Sequence, residues 1–381
     1  KTGAVESGIY SMISKSKGSE LVLIPVIFIL FSLGGAVFGM GEEAIPFAML
    51  IIPIVIDMGY DSITGILITY ISTQIGFATS WMNPFSVAIA QGVSGIPVLS
   101  GAGFRMFMWT FFTAFGVIYT IWYARRVKKN PESSIAYKTD AYFRDNFKSE
   151  EQGNREFKLG HKLIILILVV GMAWVVYGVV KEGYYLPEIA TQFVIMGLLA
   201  GIIGVVFKLN NMSVNDIATS FRKGAEDMVG AALVIGMAKG IVLILGGTSA
   251  DTPTILNTIL NSVASALSNM SAAFCAWVMY IFQSVFNFFV VSGSGQAALT
   301  MPIMAPLSDL VGVTRQVAVL AFQLGDGFTN MIVPTSGILM AVLGIAKIEW
   351  GVWVKYQIKC QLILFALGSC FVFAAVLTNF S

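Results

Sequence analysis

The chain has 381 residues, of which 56% are hydrophobic and 12% are charged, and its mean hydropathy is +0.81. Soluble domains carry roughly one charged residue in four, so this composition excludes a soluble globular protein and indicates a membrane protein. The net charge of +2 comes with no basic domain and a single histidine, His161, which argues against nucleic-acid binding and against a histidine-ligated metalloenzyme.

Apolar runs of membrane-spanning length predict most of the helices. They cover residues 104–123, 163–180, 189–207, 228–246, 272–291 and 360–379. Each run is near the roughly 20 residues that a bilayer demands, and none alternates apolar and polar residues as barrel strands do. The sequence therefore predicts an all-α polytopic membrane protein.

Two apolar stretches of the first half are interrupted by glycine and polar residues. The break "SLGGAVFGMGEEA" (32–44) separates a longer and a shorter apolar run, which predicts a re-entrant hairpin over 21–58. The break "TQIGFATSWMNPFS" (73–86) interrupts the span 62–91, which is too long for one uninterrupted helix. Broken helix ends leave backbone groups unpaired, and these can coordinate a cation or an anionic group.

A polar segment divides the chain into two halves. Residues 123–162 hold 10 of the 23 Lys and Arg residues, so by the positive-inside rule this segment is cytoplasmic. We expect a first repeat over 1–123, a cytoplasmic linker over 124–162 and a second repeat over 163–381.

The second half repeats the landmarks of the first after three additional helices. Scaffold helices are predicted over 163–246. They are followed by a hairpin over 272–311 with the break "VSGSGQA", a broken helix over 315–346 with the break "FQLGDGFTNMIVPTS", and a last helix over 360–379.

Spacing and flanking charge indicate how the two halves are related. Gln74 precedes Ser86 by 12 residues, and Gln323 precedes Ser336 by 13. Flanking lysines place the start of the first motif inside and the start of the second outside, which predicts an inverted-topology repeat. Because three helices before the second motif have no counterpart before the first, we expect further helices upstream of Lys1.

Charged residues at membrane depth indicate a site. Glu42 and Glu43 lie at the first hairpin tip, Asp326 in the second broken helix and Lys239 in an apolar run. Such groups are costly in lipid and face a cavity or a partner. Three acids against one base suit a substrate with a cationic end, coupling cations, or both; a structural pair of Lys239 with one acid is the alternative.

The segments "FSLGGAVFGMGEEAIPF", "WMNPFSVAIAQG", "SGSGQAALTMPIMAPLSDL" and "TNMIVPTSG" resemble the YfcC-type family. This family groups with the anaerobic C4-dicarboxylate carriers in the ion transporter superfamily. The resemblance implies an elevator-type transporter of the bacterial inner membrane, in which a transport domain moves against a scaffold domain that forms a homodimer. Carboxylate carriers of the superfamily have a Ser-Asn-Thr type tip, whereas here the tips read "GMGEE" and "SGSGQ". YfcC-type proteins are usually named basic amino acid antiporters, which is compatible with the surplus of acids.

Residue type and position relative to the family give the predicted site. The residues assigned to substrate binding are Glu42, Glu43, Asn83, Ser294, Gln296, Asp326 and Asn330. The residues assigned to ion binding are Gly35, Thr79, Ser86, Ser292, Thr329 and Ser336, whose hard oxygen atoms suit sodium-like ions. Lys239 is the predicted charge partner, and no cofactor is expected beyond a coupling Na⁺.

These observations predict a secondary active transporter for a small carboxylate-bearing metabolite, with an amino acid as the preferred substrate. Transport would be coupled to Na⁺ or H⁺ or would occur by exchange. The alternatives are a C4-dicarboxylate transporter of the same fold and, more remotely, an ion channel. A membrane-embedded enzyme would need a nucleophile and base or a metal set in the membrane, and a non-transporting scaffold would retain costly buried charges without a ligand.

Overall fold

The computed structural model describes residues 1–4, 7–8, 11, 20–146, 157–182, 184, 186–244, 254–255, 258, 262, 265–266 and 269–381. Regular structure in these residues is helical, and no strand occurs among them. The all-α fold class is therefore confirmed. The chain divides into two compact units, one made of residues 1–23 and 150–232 and the other of residues 24–149 and 233–381.

The helices follow one another through both units. In chain order they are α1 (Glu20–Phe38), α2 (Ala44–Asp57), α3 (Ser62–Ala78), α4 (Val87–Val93), α5 (Ala102–Lys129), α6 (Ala141–Asn146), α7 (Leu159–Glu182), α8 (Leu186–Val206), α9 (Val214–Ile244), α10 (Ala272–Phe286), α11 (Gly293–Leu310), α12 (Arg315–Thr329), α13 (Gly337–Ile345) and α14 (Trp350–Leu377). Residues 67–71 of α3 form a π-helical turn.

The larger unit contains two helix–turn–helix pairs and two interrupted helices. Residues 39–43 join α1 to α2, and residues 287–292 join α10 to α11. Residues 79–86 separate α3 from α4, and residues 330–336 separate α12 from α13.

The interrupted helices α3 and α12 contact each other and form the core of the larger unit. Every residue from 60 to 80 and from 316 to 328 is buried. The breaks that follow these helices therefore lie beside the most enclosed part of the unit.

Side-chain caps determine where several of these helices begin. The side chains of Asp61, Ser292, Thr314 and Ser336 each accept a hydrogen bond from the backbone N–H three residues further on. Such caps satisfy N–H groups that have no partner inside the helix. Ser292 and Ser336, which the sequence assigns to ion binding, thus also define the first turns of α11 and α13.

Two glycines allow the first limb of each hairpin to contact an interrupted helix backbone to backbone. A Cβ atom at Gly76 of α3 would collide with the carbonyl oxygen of Ser32 in α1. A Cβ atom at Gly325 of α12 would lie 2.9 Å from the backbone nitrogen of Ser284 in α10. Each glycine stands two residues after a glutamine, in "QIG" and "QLG", so the two halves use the same packing device.

Part of the polar linker packs against the start of α3. The Asp61 carboxylate accepts hydrogen bonds from Tyr123 Oη at 2.6 Å and Ser134 Oγ at 2.5 Å. Asp140 is buried and its Oδ2 accepts from Ser62 N at 3.1 Å. Burial is the main cause that raises the pKa of the Asp140 carboxyl to about 6.

Several helix limits differ from the sequence expectation. The first break is confined to residues 39–43 and not 32–44, because α1 continues through Gly35 to Phe38. The last helix begins at Trp350 and not at residue 360, and α9 begins at Val214 and not at residue 228. Hydropathy alone ends a helix at its first polar residues, whereas exposed lysines such as Lys355 continue α14 as one polar face.

Two helices of the larger unit, α5 and α14, have the length and hydropathy of membrane spans, and each contains 28 residues. Shorter apolar helices of 10–17 residues accompany them. In the smaller unit, α7 packs against α8, and Ala4, Ile164 and Leu209 form a small core there.

Candidate functional site

The second hairpin turn meets the end of α12 at Asp326. The Asp326 side chain is completely buried in the last turn of α12. A Cβ atom at Gly293, the first residue of α11, would lie 3.2 Å from Asp326 Oδ2. Since glycine has no side chain, the hairpin turn can approach the carboxylate this closely.

Two asparagines connect this carboxylate to both limbs of the site. Asn287, which follows α10, donates from Nδ2 to the Asp326 carbonyl oxygen at 3.1 Å and to Asn330 Oδ1 at 2.7 Å. Asn330 Nδ2 lies 3.4 Å from Asp326 Oδ1. The hairpin and the break in the second half are therefore joined by amide groups.

The first half of the chain also contributes to this cluster through α3. Asn330 Nδ2 donates to Gln74 Oε1 at 3.3 Å. Tyr70 Oη donates to the Asn330 carbonyl oxygen at 2.8 Å and lies 3.3 Å from Ser336 Oγ. Gln74 and Tyr70, which lie more than 250 positions earlier in the chain, thus hold the second break in place.

Three buried oxygen atoms around this cluster accept no hydrogen bond. They are Asp326 Oδ2, Asn287 Oδ1 and Gln296 Oε1. Gln296 directs its Nε2 to the backbone and side-chain oxygens of Gln283, at 2.9 and 2.8 Å, which leaves its own oxygen free. An unsatisfied buried polar atom costs about 1–3 kcal/mol, so this set of acceptors is suited to a cation or a ligand with hydrogen-bond donors.

No basic side chain in the described part of the structure forms an ion pair with Asp326. The backbone of Lys239, the predicted charge partner, lies in α9, but its side chain falls outside the described residues. Among the described residues, the Asp326 side chain therefore has an amide partner, Asn330, and no basic one.

The break in the first half uses its polar groups internally. Ser80 Oγ donates to the Ala36 carbonyl oxygen at 2.6 Å and accepts from the Asn83 backbone N–H at 2.7 Å. Asn83 Nδ2 donates to the Gly35 carbonyl oxygen at 3.1 Å, and its Oδ1 accepts from the Phe85 N–H at 2.8 Å. Thus Asn83 and Gly35, both predicted as ligands, bond to each other.

The remaining predicted residues fall into different environments. Thr79 Oγ1 donates to the Ile75 carbonyl oxygen at 2.7 Å, as helical threonines do, whereas the buried Ser86 Oγ has no partner. Ser294 lies beside Ser292 at the start of α11, with 3.5 Å between the hydroxyl oxygens. Thr329 is half-buried at the end of α12.

The two acids of the first hairpin tip are exposed and are not brought to the Asp326 cluster. Glu43 Oε2 accepts from the Gly41 backbone N–H at 3.0 Å, which closes the turn locally. Glu42 is exposed beside it. The structure therefore joins Asp326 and Asn330 into one cluster and places the buried Gln296 one helical turn after Gly293, the residue of α11 that approaches Asp326. It leaves Glu42 and Glu43 exposed.

A buried arginine that donates to two glutamines of α12 has no counterpart in the sequence prediction. Arg105 is completely buried and donates from Nε to Gln323 Oε1 at 3.1 Å and from Nη1 to Gln316 Oε1 at 3.0 Å, while its Nη2 has no partner. Gln323 Nε2 in turn donates to the Ser80 carbonyl oxygen at 2.5 Å. Gln74 and Gln323 thus each reach the break of the opposite half.

Two solved structures that this fold resembles are described as a transporter and as one of a class of efflux pumps. The transporter YdaH of Alcanivorax borkumensis matches with a TM-score of 0.66 and 16% identity over 98% of this chain and 83% of that chain. MtrF of Neisseria gonorrhoeae, described with a class of antimetabolite efflux pumps, matches with a TM-score of 0.65 and 14% identity over 99% of this chain and 78% of that chain. The chain thus has the fold of a membrane transport protein.

Sequence comparison gives the family. The family model described as "C4-dicarboxylate anaerobic carrier" matches residues 1–377, and the chain belongs to this family. A protein of Escherichia coli (strain K12) named "Putative basic amino acid antiporter YfcC" is 53% identical over 380 residues, which span all of this chain and 75% of that protein. An uncharacterized protein of Haemophilus influenzae is 30% identical over 97% of this chain and 70% of its own length. The resemblance to the YfcC-type family is confirmed.

Proposed function

We propose that the protein is a secondary active transporter that moves a small carboxylate-bearing metabolite, with an amino acid as the preferred substrate. The observation that carries the proposal is the buried set of free acceptors at Asp326, Asn287 and Gln296. A carboxylate without a buried basic partner binds a cation, a proton or the cationic end of a substrate. Each of these ligands can couple binding to an ion gradient or to exchange.

In this mechanism the ligand completes the hydrogen bonding of the second hairpin. Asp326 supplies the charge, while Asn287 and Gln296 supply neutral oxygen ligands. Asn330 and Ser336 at the break, assisted by Tyr70, hold the backbone that faces the same volume. A bound ligand would therefore draw α10, α11 and α12 together, and alternating access would follow from movement of this closed unit.

The first hairpin tip takes a different part in the proposal. Glu42 and Glu43 are exposed, so they act on the approach of a cationic group and not as its buried ligands. Their surplus negative charge favours a basic amino acid over a dianion. The name of the Escherichia coli relative, a basic amino acid antiporter, supports this choice.

The proposal extends to the repeat architecture, the membrane location and the oligomeric state. The two helix–turn–helix pairs and two interrupted helices support an inverted repeat, with several membrane passages, that works as an elevator. The proposal includes a location in the bacterial inner membrane and a homodimer, both of which are expectations from the resemblance to the YfcC-type family. Lipid and substrate would be its partners and Na⁺ or H⁺ its coupling ion, with no cofactor beyond Na⁺, and catalysis would not be part of its activity.

A C4-dicarboxylate is the second candidate substrate. The buried guanidinium of Arg105, with Nη2 unpartnered, favours an anionic ligand on the side of α12 that faces the first break. The description of the family as C4-dicarboxylate carriers supports the same candidate. Such a dianion would require Asp326 to be neutralised by a bound cation or a proton.

The test is uptake into proteoliposomes that contain the protein. Labelled arginine and labelled succinate are supplied separately, each with no gradient, with an inward Na⁺ gradient, with an inward proton gradient and with unlabelled substrate inside. Arginine uptake that is stimulated by internal arginine would support exchange of a basic amino acid. Succinate uptake driven by Na⁺ would transfer the assignment to the dicarboxylate, and an ion conductance without saturable uptake of either substrate would contradict a transporter.

A further inference from the structure

The end of α5 carries a groove that the proposed transport cycle does not use. The groove has a volume of about 720 Å³ and is lined by Trp122, Arg125, Arg126, Lys129, Asn130 and Ser133. Three of these side chains are cationic and none is acidic. The groove is therefore a local concentration of positive charge that also contains the neutral hydrogen-bonding groups of Asn130 and Ser133.

The groove continues an apolar stripe along the same helix. Phe107, Phe111, Ile118 and Trp122 are 64%, 40%, 68% and 56% exposed, and their spacings of four, seven and four residues place them on one face of α5. Arg125 follows Trp122 by three residues and therefore continues the same face of α5 into the groove. An exposed apolar stripe that ends in an aromatic residue and then in cations is the order expected of a helix that leaves a bilayer.

The length of α5 places the groove beyond the hydrocarbon. With 28 residues and a rise of about 1.5 Å per residue, the helix is longer than the roughly 30 Å of the hydrocarbon core. Its last turn contains Arg126, Lys128 and Lys129. By the positive-inside rule these residues lie at the cytoplasmic leaflet, where anionic lipids attract basic residues.

The cations of the groove are available to a ligand. Arg125, Arg126 and Lys129 are exposed, and none forms an ion pair with a described residue. Lys128, by contrast, lies 5.0 Å from the centre of the Tyr60 ring and outside the groove. The three groove cations converge on one volume from two successive turns of α5.

We propose that this groove binds the phosphate of an anionic phospholipid, whose acyl chains lie along the stripe that ends at Trp122. Arg125, Arg126 and Lys129 would hold the phosphate through charge-assisted hydrogen bonds, and the Asn130 side chain would contact the polar headgroup. The continuity of the groove with the apolar stripe identifies the ligand as a lipid, because a free phosphate would have no use for the stripe.

The test measures the thermal stability of the purified protein in a neutral detergent. Phosphatidylglycerol, phosphatidylcholine or glycerol phosphate is added, the last being the headgroup chemistry without acyl chains. We expect phosphatidylglycerol to raise the Tm by at least about 3 °C more than phosphatidylcholine, and glycerol phosphate to have no effect at matched concentration. A zwitterionic lipid that stabilises equally, or glycerol phosphate that suffices alone, would overturn the proposal.

A matched pair of double variants locates the effect. Arg125→Gln with Lys129→Gln removes two groove charges at positions i and i+4. Lys355→Gln with Lys359→Gln removes two exposed charges with the same spacing on α14. The first variant should lose most of the difference between the two lipids and the second should keep it.

Equal loss in both double variants would show attraction by overall charge and would contradict a groove. If the first variant folds poorly in detergent alone, Arg125→Lys with Lys129→Arg retains both charges. Under the proposal the charge-retaining variant, Arg125→Lys with Lys129→Arg, keeps the preference for phosphatidylglycerol. Loss of the preference in this variant would count against binding by charge.

Discussion

The breaks of the two halves use the same residue types for opposite purposes. In the first half, Ser80 and Asn83 direct their polar atoms to the hairpin limb α1 and to the break itself, so few acceptors remain. In the second half, Asn287, Gln296 and Asp326 each keep one buried oxygen without a donor. Similar sequence landmarks thus give a first break that uses its asparagine internally and leaves Ser86 Oγ without a partner, and a second break beside which three oxygen atoms have none.

The difference teaches that a polar residue at a helix break becomes a ligand only if its neighbours leave it free. Asn83 and Asn330 occupy comparable places, each near the end of an interrupted helix. Both polar atoms of the Asn83 side chain are hydrogen-bonded, to Gly35 and Phe85, whereas Asn330 belongs to a network that includes Asp326, whose Oδ2 has no partner. The second half is therefore the half in which we place ligand binding.

The largest expected effect comes from removing the charge beside the second break. Asp326→Asn keeps the shape of the side chain but removes the charge that the proposed ligand neutralises. We expect uptake to fall by a factor of about 100 or more, while thermal stability is kept or increased because a buried unpaired charge is lost. Uptake in proteoliposomes and the Tm in detergent measure the two quantities.

The control for this variant is Asp57→Asn, which changes an exposed acid at the end of α2. Its uptake should remain close to that of the unsubstituted protein. Transport that survives in Asp326→Asn would remove the second break from the mechanism.

The comparison is sharpened by substituting the two asparagines separately. Asn330→Ala should raise the ligand concentration for half-maximal transport by about tenfold, the equivalent of one lost hydrogen bond to a charged group. Asn83→Ala should lower the free energy of unfolding by about 1–3 kcal/mol, because it leaves backbone groups of the first break unpaired. Concentration dependence of uptake and denaturation curves separate these effects, and similar results for both variants would refute the asymmetry.

A smaller effect is expected at the exposed tip of the first hairpin. Glu42→Gln with Glu43→Gln should raise KM for a cationic substrate by about threefold and leave kcat unchanged, because exposed charges act through long-range attraction. The effect should disappear as ionic strength rises. A loss of kcat that persists at high salt would instead place these acids in the binding site, as the sequence alone predicts.

The last comparison concerns the starts of α3 and α12, where we expect a change in stability and not in transport. The start of α12 lies beside an exposed ion pair, Arg315 with Asp309 at 2.6 Å, of a kind that contributes little to stability. The start of α3 instead lies against the buried Asp140, whose pKa is raised by burial from 3.8 to about 6. Between these pH values the folded state binds more protons than the unfolded state, so this group destabilises the fold increasingly as the pH rises.

Asp140→Asn should therefore raise the Tm relative to the unsubstituted protein at pH 7.5 and change it little at pH 4. At pH 7.5 the expected gain in the free energy of unfolding is on the order of 1 kcal/mol, allowing for partial solvation of the group. Asp309→Asn is the matched variant at the other helix start and should give a small difference at both pH values. A Tm difference for Asp140→Asn that does not depend on pH would exclude titration of this carboxyl.

Much of the helical order could be predicted because it depends on local sequence. Apolar runs, and glycine or proline between them, define where helices can cross a bilayer and where they must stop. The first and last residues of the helices were less predictable from sequence, since polar residues such as Lys355 can continue a helix on an exposed face. A glycine can also be misleading: Gly35 looks like part of a break in the sequence but lies inside α1.

The site was only partly predictable because its hydrogen bonds join distant residues. Asp326, Asn330 and Gln296 could be selected as polar groups at membrane depth. Asn287 carried the same signal, an amide within "FQSVFNFF", but its run had no glycine to mark it. Tyr70 could not have been chosen, since its link to Asn330 spans 260 residues and exists only in the folded chain.

Gly325 and Asp326 are neighbours in the sequence, yet substitutions at the two positions should abolish transport for different reasons, because α10 packs closely against α12 at Gly325. A survey of all single substitutions would score both as essential. At Gly325, and equally at Gly76 in the other half, even alanine has no room and should reduce the amount of protein that reaches the membrane. At Asp326 the protein should arrive in normal amounts and fail to transport, so abundance measured beside activity would tell a packing position from a ligand position one residue away.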